Sequence, residues 1–169
     1  MVQPEFTADG RKRAVIEGGR PEVDAGRFAA KRIAGDPILI EADIFTDGHD
    51  SLSAILCWRR VGEPEWTELP MEPLVNDRWR ARIRVPEACQ IEFSIAAWVD
   101  AFKTWRRDMQ KRIDAGTATE VDYQIGQALI EDAARRAAKF DSDWLKQAST
   151  RVHEFALDPM LEAMMVRYP

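Results

Sequence analysis

The sequence predicts an α+β fold: an antiparallel β-sandwich of immunoglobulin type followed by a helical segment of three to four helices. Three observations predict it. Up to about residue 100 the apolar residues recur with period two, as in half-buried strands. From Thr104 onward they recur three to four apart, as on a helix face. No helical crossover separates the strand-like runs, which argues against a parallel sheet.

The strands follow in order. Ile38, Ile40, Ala42 and Ile44 share one face of the first clear run, and Leu52, Ala54, Leu56 and Trp58 share one face of Ser51–Arg60. In Arg78–Val85, Trp79, Ala81, Ile83 and Val85 alternate with Arg78, Arg80, Arg82 and Arg84. Ile91–Val99 puts Ile91, Phe93, Ile95, Ala97 and Val99 on one side. Turn-forming residues punctuate these runs: Asp47-Gly48-His49-Asp50, Gly62-Glu63-Pro64, Asn76-Asp77 and Pro86-Glu87. Short antiparallel strands at this spacing suit a sandwich.

The helices come next. Met109 and Ile113 are four apart, and Ala115-Gly116 closes that segment. Thr119-Glu120-Val121-Asp122 reads as a capping-box start, with Val121, Ile125, Ala128, Leu129 and Ala133 as the apolar stripe. Asp141-Ser142-Asp143 opens a third segment whose apolar side is Trp144, Leu145, Ala148 and Val152. Asp158-Pro159 sets a cap before a proline at the first helical position, and Met160, Leu161, Met164 and Met165 follow. The expected domains are 11–103 for the sandwich and 104–169 for the helices.

Composition narrows function. The chain has 169 residues, 46% hydrophobic and 31% charged, with a net charge of −5. An acidic balance argues against a nucleic-acid partner, which would call for a basic field. No apolar run approaches the ~20 residues of a membrane span, so no membrane partner is expected. The N-terminus lacks the apolar stretch of a secretory signal. Two cysteines, Cys57 and Cys89, are too few for a disulfide framework, and a reducing cytoplasm is the expected setting.

Candidate chemistry is sparse. Asp47, Gly48, His49 and Asp50 include metal-ligand types, yet Asp-Gly is also what a hairpin turn requires, so the four are read as a turn and no metal or cofactor is expected. Glu41 and Asp43 would stand together on one strand face, where a solvated pair is the default. No nucleophile elbow or phosphate loop is present, so no catalytic residue is assigned. The arginine row from Arg78 to Arg84 would form a positive stripe.

The aromatics are more informative. Six tryptophans is a high number for this length. Trp98, Phe102 and Trp105, with Arg106 beside them, lie where the strand pattern gives way to the helix pattern. An indole is costly to expose, and its N–H seeks a partner when buried. These four are the expected structural junction, packing helices onto the sheet. Trp66 and Trp144 are the candidates for contact with a sugar or a partner.

Taken together, certain short motifs resemble the N-terminal domain of the bacterial maltosyltransferases that extend α-glucans from maltose 1-phosphate, within the α-amylase-like glycoside hydrolase superfamily. The matching residues are Val15-Ile16-Glu17, Pro21, Val23-Asp24, Gly26-Arg27-Phe28, Lys31-Arg32, Ala42-Asp43, Phe45 and Asp47-Gly48-His49-Asp50. Pro70-Met71, Asn76-Asp77-Arg78-Trp79, Ala97-Trp98-Val99-Asp100, Phe102, Thr104-Trp105-Arg106 and Ala115-Gly116 complete the series. The resemblance implies a sandwich with a helical insertion ahead of a catalytic (β/α)₈ barrel, and a homodimer in the parent protein. It also implies that the catalytic carboxylates lie in the barrel, that the barrel is a partner of this segment, and that the strand closing the sandwich is missing here. The implied role is that of a non-catalytic accessory and dimerisation domain. The other reading open at this point is a stand-alone α-glucan-binding module.

Overall fold

A computed structural model describes residues 14–168. Residues 11–13, with which the sandwich was expected to open, and Pro169 lie outside the described residues. The chain divides into two compact units, one ending at Val99 and the other beginning at Asp100.

Among the described residues, the first unit contains seven strands: β1 (Val15–Arg20), β2 (Pro37–Phe45), β3 (Leu52–Arg60), β4 (Thr67–Pro70), β5 (Glu72–Pro73), β6 (Arg78–Arg84) and β7 (Ile91–Val99). They form two antiparallel sheets, ordered β1-β2-β6-β5 and β4-β3-β7. The four long runs visible in the sequence are β2, β3, β6 and β7. β4 and β5 are too short for period two to show.

The alternation is realised residue by residue. Ile40, Ala42 and Ile44 from β2, Leu52, Ala54 and Leu56 from β3, and Trp79, Ala81 and Ile83 from β6 belong to one buried cluster. The two sheets therefore share a core. Trp79 satisfies its indole N–H by donating to the Ile44 carbonyl at 3.1 Å. Asn76 and Asp77 adopt left-handed backbone (φ 55° and 57°), as the turn between β5 and β6 demands. The Asp77 carbonyl also accepts the Ile44 N–H at 2.8 Å.

The second unit contains five helices among the described residues: α1 (Ala101–Asp114), α2 (Glu120–Arg136), α3 (Lys139–Thr150), the single-turn α4 (Val152–Phe155) and α5 (Pro159–Arg167). α1 begins earlier than the expected boundary at residue 104. The Asp100 carboxylate accepts the Lys103 N–H at 2.8 Å, so Asp100 caps the helix four residues upstream of the visible change of period. α3 likewise starts before Asp141. The expected third segment is broken at Arg151 (φ −121°, ψ 36°), which leaves Val152 on its own short turn.

The stripe expected on α2 is rotated. Val121 and Ile125 are 62% and 49% exposed, while Gly126, Ile130, Ala133 and Ala134 face the core. The cause is Trp105. Its six-membered ring lies so close to Gly126 that a Cβ there would sit 2.1 Å from Cζ2. Only the face bearing glycine admits the indole, and that fixes the rotation of α2.

Candidate functional site

The residues singled out in the sequence are distributed over both units. The Asp47–Asp50 turn joins β2 to β3, with Asp47, Gly48 and His49 exposed and Asp50 half-buried. Among the described residues, no group of three or more His, Cys, Asp or Glu side chains is placed to hold a metal ion.

Glu41 and Asp43 do stand together on the outer face of β2, and β6 lies directly beside them. Arg78 bonds Asp43 at 3.0 Å and approaches Glu41 at 3.9 Å, while Arg80 lies 3.8 Å from Glu41. The carboxylates are neutralised by the first half of the arginine row. Arg82 and Arg84, further along, are exposed.

Phe102 and Trp105 are buried in the helical unit, their ring centroids 5.5 Å apart. Trp105 donates its indole N–H to the Asp122 carbonyl at 2.7 Å. The Asp122 carboxylate is itself buried. It accepts the Thr119 N–H at 2.9 Å and the Thr119 hydroxyl at 2.8 Å, and it pairs with Arg112. Phe102 and Trp105 therefore hold α1 to α2. Arg106 pairs with Glu162 at 2.5 Å and donates to the Leu157 carbonyl at 2.8 Å, which ties α1 to the start of α5. Trp98 is half-buried on the outward side of β7, opposite Ser53.

The two candidate contact tryptophans differ. Trp144 is half-buried and meets Phe155 edge-on at 5.8 Å, a packing role. Trp66 is 42% exposed, with the Arg59 guanidinium 4.3 Å above its ring. Glu92 bonds Arg59 at 2.6 Å, and the Pro64 carbonyl accepts from Arg59 at 3.3 Å. The result is a fixed surface cluster of indole, cation and carboxylate. Of the two cysteines, Cys57 is partly buried and Cys89 exposed, and both are free thiols. Burial, and secondarily the Glu68 carboxylate on β4, push the Cys57 thiol above its ordinary value.

A feature that sequence reasoning missed is a cavity of about 770 Å³ between the 21–34 segment and the two sheets. Phe28, Ile33, Ile38, Val85, Ile91 and Phe93 supply apolar walls, and Lys31, Arg32, Glu87 and Cys89 also line it. Phe28 and Ile33 are 60% and 73% exposed on a segment with no strand periodicity. Apolar residues on a stretch without strand periodicity were its trace in the sequence. The cavity offers apolar surface and scattered charges rather than a nucleophile held by a base.

The family model described as alpha-1,4-glucan:maltose-1-phosphate maltosyltransferase, domain N/S, matches residues 12–169. The maltosyltransferase of Chlorobaculum tepidum is 42% identical over 169 aligned residues, covering 95% of this chain and 25% of that protein. One from Cereibacter sphaeroides is 42% identical over 127 residues (75% and 21%), and that of Methylacidiphilum infernorum is 33% identical over 169 (95% and 25%). The chain thus spans about a quarter of the length of these relatives.

Proposed function

We propose that this chain, which belongs to the alpha-1,4-glucan:maltose-1-phosphate maltosyltransferase domain N/S family, serves as a non-catalytic accessory and assembly domain of such an enzyme. The observation that carries the proposal is the continuous match of both units, sandwich and helices, to domain N/S. The state of the acidic side chains adds support: Glu41, Asp43, Glu92 and Asp122 are each engaged by arginine.

In the full enzyme, maltosyl transfer would proceed on barrel carboxylates by the double displacement of retaining glycosidases. This domain would contribute subunit assembly and the surroundings of the cleft. The parent would be a homodimer. Among the described residues, no helix is long and apolar enough to cross a membrane. Two free thiols suit a cytoplasmic setting.

The direct test is an assay of the chain with maltose 1-phosphate and a glucan acceptor. No phosphate release is expected, and release by the chain alone would overturn the reading. The Trp66–Arg59–Glu92 cluster favours a second reading, an α-glucan contact, because an exposed indole beside fixed polar groups suits a pyranose face. Titrating maltooligosaccharide against tryptophan fluorescence decides it. Under the assembly reading the emission stays unchanged, whereas a saturable change lost in Trp66→Ala would establish sugar binding.

A further inference from the structure

We infer that the outer face of the β4-β3-β7 sheet carries a binding site that takes a neutral α-glucan and rejects a phosphorylated sugar. Trp66, Glu68 and Ser94 build it, and the Arg59–Glu92 pair braces it. The inference rests on the second reading above, an α-glucan contact at Trp66, and adds which sugar species the site accepts. Six side chains form two adjacent rows across the three strands. In one row Arg59 is in register with Glu92, and its guanidinium lies over Trp66. In the other, Cys57 is in register with Glu68 on β4 and with Ser94 on β7. Cys57, Arg59, Glu68, Glu92 and Ser94 point away from the core, because the alternate residues Leu56, Trp58, Leu69 and Phe93 pack into it.

Each group constrains the ligand separately. Arg59 covers one face of the indole at 4.3 Å, yet Trp66 is still 42% exposed, so the opposite face and the edges supply that exposure. The open face is an apolar plate, and the place of a stacked cation is already taken. Arg59 is itself fixed by Glu92 at 2.6 Å and by the Pro64 carbonyl at 3.3 Å, which sets the plate before a ligand arrives. Glu68 and Ser94 are exposed, and neither side chain has a hydrogen-bond or ion-pair partner among the described residues. A carboxylate accepts hydroxyl protons and a serine both donates and accepts, which complements the hydroxyl rim of a pyranose. Strands ~5 Å apart and rows ~7 Å apart give a patch of about 10 by 7 Å, the footprint of about two sugar rings. Charge then decides the species. Arg59 and Glu92 cancel each other, and burial, with Glu68 second, keeps the Cys57 thiol protonated. Glu68 leaves one net negative charge, which a neutral sugar tolerates and a phosphate dianion does not.

Isothermal titration calorimetry of the chain at low salt, with maltose and separately with maltose 1-phosphate, tests the inference. The two ligands differ only in the phosphate, so their affinity ratio reads the charge of the site. Maltose should bind saturably, and maltose 1-phosphate about fivefold more weakly. Trp66→Ala should abolish the binding of both. Glu68→Gln alters an exposed position and keeps an acceptor, and circular dichroism verifies that the fold persists. It should hold maltose affinity within about twofold and bring the ratio below about twofold. If Trp66→Ala abolishes maltose binding but the two ligands bind equally, or Glu68→Gln leaves their ratio unchanged, the inference is overturned and the α-glucan contact stands. Absence of maltose binding, or binding that survives Trp66→Ala, overturns both.

Discussion

Trp105 and Gly126 illustrate how closely two residues can depend on each other. The indole occupies the space a Cβ would need. Trp105→Ala should cost about 3–5 kcal/mol in urea or thermal unfolding, because a buried aromatic is lost and a cavity remains. Gly126→Ala should destabilise by about 1–3 kcal/mol despite the better helix propensity of alanine, because the overlap forces a shift of ring or helix. The two changes should be strongly non-additive, since removing the ring removes the clash, and a double-mutant cycle measures this. The thiols offer a second residue-scale expectation. Burial holds Cys57 protonated above its ordinary range, whereas Cys89 is exposed. A thiol-reactive dye at neutral pH should label one site quickly and one slowly, and Cys89→Ser should abolish the fast phase. Two equal rates would contradict the burial of Cys57.

At the scale of elements, local capping explains the helix boundaries better than hydrophobic period does. The Asp158 carboxylate accepts the Met160 N–H at 2.6 Å, and Pro159 opens α5. Asp158→Ala should therefore cost about 0.5–2 kcal/mol in the same unfolding measurement. On α2, hydrogen bonds from Arg136 and then Arg135 hold the Asp132 carboxyl below its ordinary value. Its contribution is thus present above the ordinary carboxylate range and lost as pH falls through the lower folded value. The stability difference between the unmodified chain and Asp132→Asn should shrink as pH drops from about 5 to 2. A difference independent of pH would contradict the pairing. The pair is half-exposed, so the effect is small.

For the whole molecule, two separate apolar clusters accompany the two compact units, one within the sandwich and one within the helices. The prediction is that residues 100–168, produced alone, retain helical circular dichroism and melt cooperatively, because their core is drawn from their own helices. A featureless melt would show that the helical unit depends on the sandwich.

What the sequence determined by itself was the set of long strands, the order of the two units, the caps at Thr119 and Asp158, and the family resemblance carried by its short motifs. These are local or linear properties, written as period, turn residue and spacing. The tertiary structure alone decided the rotation of α2, the pairing of Glu41 and Asp43 with Arg78 and Arg80, and the cavity lined by Ile91 and Phe93. Each of these depends on which surfaces meet. Periodicity shows that a face is apolar, but a ring seated on one glycine decides which of two apolar faces turns inward.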